Sequence, residues 1–325
     1  MLNVLKPNHP KLTKDNLPDF KAGLSVHDDT IKITAETEEI EVFPAETSLG
    51  EKLFRQYESL AYDPQRLDTQ TLTKLVFSDV VELYDSHVLN EVQYFPAIVA
   101  AVGKIGPQPF LIIGNQPSYQ TLSDGSVRKI PSSPEVKDFE YMQRMLEFGG
   151  RLGLPVVFFT DTLGAKPTLE AEKQGQSRAI HDSIAAGIEY PNLEFSIVTG
   201  VLGSGGGLAT TPTGDYIAML DYAMAFVSEP TSQTAILNNK ANPTREEIIE
   251  SLPGMRATAS DQLELGLIDA VIEESDDPIE TAKNVHLAIA NAFIKNDKFL
   301  KWRLLHRRNK RNRRLKGLEV ENGHD

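Results

Sequence analysis

Apolar positions recur at helical spacing through residues 48–62 and again through 68–84, where Leu72, Leu75, Val76 and Val80 share a face. The turn-like pair Asp63-Pro64 separates these two predicted helices. Upstream, residues 30–43 alternate polar and apolar side chains, which predicts an exposed hairpin. Near residue 95 the pattern changes. Residues 98–103 and 109–114 are short apolar runs that predict a hairpin around Gly106-Pro107. The polar stretch from Asn115 to Pro134, rich in Ser, Pro and Gly, reads as a long loop. A helix is expected from Ser133, with Val136, Phe139, Met142, Met145 and Leu146 on one face.

Beyond it the chain reads strand, loop, helix. Residues 154–160 are apolar on both faces, as a buried parallel strand requires. The loop 161–167 and a helix over 170–188 follow. The next strand, 193–199, runs into the glycine-rich segment 200–209, and a third strand at 216–220 precedes the segment 223–227. Residues 257–270 and 277–316 read as helices. Alternating strands and helices imply an α/β domain with crossover connections. The expected organisation is an N-terminal extension over 1–69 (hairpin and helix), a core domain over 70–275 and a helical basic tail over 276–325.

Charge is unevenly placed along this frame. The 325 residues carry 46 acids and 33 bases, a net charge of −13. Residues 301–317 hold nine bases and no acid, leaving 24 bases against 46 acids, or −22, on the rest. Such a tail suits a docking helix for an acidic surface, this chain's own body included, better than a nucleic-acid arm, because aromatic and Gly-rich interleaving is missing. The complete lack of cysteine excludes disulfides, thiolate zinc sites and a cysteine nucleophile. No apolar run approaches the length of a membrane span, and the N-terminus lacks a signal-peptide core, so a cytoplasmic protein is expected.

Two segments could carry chemistry. Five of the eight residues from Gly200 to Gly207 are glycine, which permits close backbone approach to a ligand. A helix after this loop would aim its first N–H groups at an anion or a developing oxyanion. The spacing matches neither the dinucleotide fingerprint nor the nucleophile elbow, and no phosphate loop occurs. The structural alternative is a turn in which backbone packs on backbone. Asp161-Thr-Leu-Gly-Ala165 also follows a buried strand, so both loops are expected at the carboxyl ends of neighbouring strands, where ligands gather. Its plainer reading is a helix start capped by Asp161 or Thr168. The seven histidines show no metal-ligand spacing, no metal site is expected, and His181-Asp182 reads as an ordinary helix position. Chemistry on backbone N–H groups fits this poverty of acid–base constellations.

In this order the segments resemble the carboxyltransferase alpha subunit of bacterial acetyl-coenzyme A carboxylase, a member of the crotonase-like superfamily. The matching stretches are 112–116, 148–156, 159–165, 170–177, Gly203-Ser-Gly-Gly206 and 263–269, so the resemblance covers about residues 70–275. It implies the ClpP/crotonase ββα superhelix with helical extensions at both ends. It also implies transfer of a carboxyl group from carboxybiotin, held on a biotin carboxyl carrier protein, to acetyl-coenzyme A, giving malonyl-coenzyme A for fatty-acid synthesis. A beta subunit of the same fold would complete an alpha2beta2 heterotetramer and would bring any zinc. Biotin carboxylase would belong to the same ATP-binding complex. By the motif match, Gly205 and Gly206 would form an oxyanion hole facing biotin, with Gly164, Ala165, Lys166, Gly203 and Ser204 lining the same pocket.

The chain departs from the family pattern at Leu163, Lys166 and Thr168, where D-T-P-G-A-Y-P-G is usual, and at Asn115, where histidine is usual. Val201-Leu202 replace an acid and a glycine before the second motif. Two alternatives therefore stand beside the main reading: a paralogue carboxylating another acyl-coenzyme A, and a catalytically weakened scaffold or regulatory subunit.

Overall fold

The computed structural model describes residues 12–20, 47–84, 96–211 and 214–297. The expected hairpin over 30–43 and the basic tail over 301–317 lie outside the described residues.

The frame is one eight-stranded sheet with helices on both faces. Its antiparallel edge consists of β1 (Ser78–Leu83), β2 (Ile98–Ile105) and β3 (Gln108–Asn115). Four strands continue it in parallel: β6 (Val156–Thr162), β7 (Glu194–Gly203), β8 (Tyr216–Leu220) and β10 (Ala270–Ile272). The strand β9 (Met224–Phe226) pairs with the far end of β7. The β2–β3 hairpin turns at Gly106, whose φ of +55° explains the glycine there.

Side chains alternate across the sheet, so the two faces build separate cores. Phe110, Ile112, Phe159, Phe195 and Ile197 pack with α2 (Thr69–Val76) and with Ile289 and Phe293 of the C-terminal helix Pro278–Asp297. Leu111, Ile113 and Phe158 face α3 (Val136–Leu152), whose Phe139, Met142 and Leu146 are buried as the periodicity predicts. A third cluster joins α1 (Leu49–Tyr62), through Leu53, Phe54, Tyr57 and Leu60, to Val201, Met224 and Phe226. Each such buried side chain contributes about 1.5–3 kcal/mol.

Several expectations are corrected. The helix expected over 68–84 stops at Val76, and residues 78–83 become the edge strand β1. With Val80 and Val81 side by side, residues 78–83 show no alternation of their own, and the free edge of β2 supplies the hydrogen-bond partners that make them a strand. The loop expected over 115–134 contains a second hairpin, β4 (Ser118–Thr121) with β5 (Val127–Ile130). It turns through Asp124, which accepts from the Ser126 N–H, and through Gly125 at φ +88°. The helix expected over 170–188 breaks at Gly175 (φ +93°) into α4 (Leu169–Lys173) and α5 (Gln176–Ile188). Gly266 (φ +69°) ends the helix expected over 257–270 after Ala259–Glu264, and the chain enters β10.

Candidate active site

The two loops do meet, although the second is barely a loop. Strand β7 extends to Gly203, and α6 (Ser204–Ala209) starts at the next residue. The N-cap, Gly203, has no side chain to accept from the first N–H groups of α6. Ser204 takes φ +58°, an uncommon conformation for a non-glycine residue that turns the chain directly from strand into helix.

Beside this junction, β6 ends at Thr162 and the chain passes through Leu163, Gly164 and Ala165. Gly164 adopts φ +133°, which requires glycine. Its amide N–H and its carbonyl are both held by Thr162 Oγ1, at 3.1 and 3.2 Å. The two segments pack backbone on backbone. A Cβ on Gly203 would lie 2.3 Å from the Leu163 carbonyl oxygen, and one on Gly206 would lie 2.2 Å from the Ala165 nitrogen. The packing reading is therefore correct for Gly203 and Gly206. Gly205 differs. A Cβ there would meet only Ile180, at 3.6 Å, and its φ is not left-handed, so neither packing nor conformation demands glycine. Gly205 is half-buried, and a missing side chain at this position opens the start of α6 to approach.

The remaining predicted residues fall as follows. Ser204 and Ala165 are half-buried, and Gly164 and Gly206 are buried. Lys166 is exposed and ion-paired to Glu135, while its backbone N–H bonds to the Pro134 carbonyl. Thr168 caps α4, accepting from Ala171 N–H, so one of the two anticipated caps is real. Asp161 is no cap. It is buried within β6, and its Oδ1 accepts the Val201 N–H at 3.0 Å. His181 and Asp182 form an exposed local pair 2.9 Å apart.

Sequence reasoning missed one titratable pair. Lys129, 1% exposed, donates to Asp161 Oδ2 at 2.7 Å and to the Leu60 carbonyl at 2.9 Å. The available signal was Asp161 itself, an acid within a strand otherwise built to be buried, which calls for a cation. Asn115, in the usual histidine position, is also buried, and its Oδ1 accepts from the Asp161 N–H and from Thr210 Oγ1. Among the described residues, no group of three or more His, Asp or Glu side chains is arranged to hold a metal ion.

A cavity of about 590 Å³ lies elsewhere, between α2, β1, β2 and the start of β4. Val80, Ile98 and Ile112 give it apolar walls, and Asp68, Lys74, Glu82 and Tyr119 add polar groups. No residue of 161–166 or 200–209 lines it. The Tyr119 hydroxyl donates to Asp68 at 3.0 Å, and burial together with that carboxylate pushes the phenol above its usual range.

Comparison with known proteins decides the family. A family model described as acetyl co-enzyme A carboxylase carboxyltransferase-like matches residues 25–316. The chain belongs to this carboxyltransferase family. It is 32% identical over 231 residues to the acetyl-coenzyme A carboxylase carboxyl transferase subunits beta/alpha of Saccharopolyspora erythraea, covering 71% of this chain and 38% of that protein. The chain thus spans about two fifths of that fused relative. It is 32% identical over 252 residues to the acetyl-coenzyme A carboxylase carboxyl transferase subunit alpha of Nitratiruptor sp., covering 75% of this chain and 77% of that one. Among solved structures, transcarboxylase 12S superposes with a TM-score of 0.57 at 16% identity, over 72% of this chain and 42% of that chain. This last likeness is one of fold, and it agrees with the crotonase-like α/β architecture expected for the carboxyltransferase family. No helix among the described residues is long and apolar enough to cross a membrane.

Proposed function

We propose that the chain is the alpha-type half of a biotin-dependent carboxyltransferase, moving a carboxyl group from carboxybiotin on a carrier protein to acetyl-coenzyme A to give malonyl-coenzyme A. The observation that carries this reading is Gly205. At a junction where the neighbouring glycines are needed for packing, Gly205 is not, and it leaves backbone N–H donors approachable at the uncapped start of α6. Carboxybiotin supplies the transferable carboxyl group, and its ring carbonyl gains negative charge as that group departs. Backbone N–H donors suit an uncharged carbonyl on which charge grows, because they neither titrate nor carry a charge that would hold the ground state as firmly.

In this proposal the N–H groups of Gly205 and Gly206 form the oxyanion hole. Gly164 and Ala165 form the adjoining wall, with Gly203 and Ser204 at the turn. Lys166 follows directly in the chain, and its exposed ammonium would have to leave Glu135 to meet an acidic group of an incoming ligand. Losing one such donor typically removes roughly 2.7–4 kcal/mol of transition-state stabilisation. A beta subunit of the same fold would complete the site and would also carry any zinc. Val227, Ile236 and Leu237, which are 87%, 74% and 66% exposed, support a protein partner on the β9 side. The full assembly would be an alpha2beta2 heterotetramer served by a biotin carboxyl carrier protein and biotin carboxylase in the cytoplasm.

The test is co-expression with the candidate beta subunit, followed by assay of malonyl-coenzyme A decarboxylation in the presence of biotin. Turnover that requires both chains is expected. An assembled complex without turnover on any short acyl-coenzyme A would overturn the proposal.

A further inference from the structure

The buried pair Lys129–Asp161 lies beneath the glycine junction, at an irregularity in the sheet. In the β6–β7 ladder Thr160 pairs with Val198, but Thr162 pairs with Leu202. Two residues of β6 thus span four of β7, so β7 bulges opposite Asp161. Beyond the bulge β7 leaves β8 and pairs with β9, Val201 to Met224 and Gly203 to Phe226. The bulge therefore sets where Gly203 and the start of α6 point. Bulges of this kind commonly re-aim a strand end beside a functional site.

A bulge frees backbone groups that the ladder would otherwise satisfy. Here Asp161 takes over, accepting the Val201 N–H on Oδ1. Gly200 makes room for this, since a Cβ on it would lie 2.1 Å from that oxygen. The other carboxylate oxygen is held by Lys129 of β5, and Lys129 also donates to Leu60 near the end of α1. One ammonium thus ties two elements, β5 and α1, to the carboxylate that fixes the bulge. On the far side, Arg66 reaches the Thr199 carbonyl at 3.5 Å.

We infer that Lys129 and Asp161 are positioning residues: the β4–β5 hairpin and α1, acting through this pair, fix the bulge of β7 and hence the backbone donors at Gly205 and Gly206. The catalytic half of this inference rests on the proposed function, but the mechanical half does not. Lys129 bonds to Leu60 and Asp161, so its effect on 203–206 travels through Asp161 and Val201. Reactions that depend on preset donors are sensitive to such shifts, and a misplacement of about 1 Å can lower the rate roughly a hundredfold.

Two measurements test this. In native-state hydrogen exchange on the full unmodified chain, the amides of 127–130 and of 200–203 are expected to open as one unit, with the same denaturant dependence. Independent opening would overturn the tether. The second uses the assembled complex and compares Lys129→Met with the double variant Lys129→Met/Asp161→Asn, in which no uncompensated charge stays buried. The double variant is expected to regain thermal stability but not rate. Its kcat should stay roughly ten- to a hundredfold down, its KM for acyl-coenzyme A should stay within about twofold, and the 200–206 amides should still exchange faster than in the native chain. A double variant with native kcat and native exchange would reduce the pair to a structural role and overturn the inference. A wild-type complex without carboxyl transfer would sink the functional reading alone, since the exchange experiment decides the tether without any activity.

Discussion

The cavity beside α2 and the junction between β6 and β7 are opposites. The cavity is roomy, with apolar walls and several titratable side chains, Asp68, Lys74, Glu82 and Tyr119 among them. The junction has almost no free volume around Gly203 and Gly206, and no titratable side chain among 203–206 or 163–165. Size and ionisable groups alone would select the cavity. The proposed chemistry rests on backbone donors and so selects the junction, where close packing fixes the backbone around Gly203 and Gly206.

The comparison can be broken most forcefully at the pair that supports the junction. Lys129→Met, leaving Asp161 charged and buried, should lower stability by about 3–5 kcal/mol in chemical denaturation. A loss below 1 kcal/mol would mean that the corner is not held as described. Next comes Gly206→Ala, whose methyl would collide with the Ala165 nitrogen. It should cost about 1–3 kcal/mol, while Gly205→Ala should change the melting temperature little. Equal losses at 205 and 206 would erase the distinction between them.

The pH response should come from the other side of the sheet. His286, buried against α2, has its pKa lowered by desolvation, partly offset by its hydrogen bond to the Val76 carbonyl. The unfolded chain therefore takes up this proton first. The stability linked to neutral His286 is complete above about pH 6.5 and is lost as pH falls towards the lower folded value. Native chain should lose up to about 1.4 kcal/mol per pH unit in that window relative to His286→Gln. Parallel stability curves for the two would contradict this. The smallest effect belongs to the cavity itself. Tyr119→Phe and Lys74→Met should leave carboxyl transfer within about twofold. A large drop in kcat would move the chemistry into the cavity.

Much of the frame was legible in the sequence. The fully apolar run in β6 and the β2–β3 hairpin declared themselves through burial on both faces and a glycine turn. What was hidden depended on partners distant in sequence. The segment 78–83 carries no alternation of its own, and only the open edge of β2 makes it a strand. The 118–130 hairpin looks like a polar loop because most of it is exposed, and Lys129 turns inward to reach Asp161, 32 residues away. At the site, the motif located the junction but treated its glycines alike. Only the packing separates Gly203 and Gly206, which the crossing backbones require, from Gly205.

Gly205 gives the most direct test of the central claim. Gly205→Val, assembled with the beta subunit, should retain the melting temperature and stoichiometry of the native complex, and carboxyl transfer should fall by about a hundredfold or more. Turnover within twofold of the native complex, in a variant shown to be folded and assembled, would contradict the assignment of the chemistry to the start of α6.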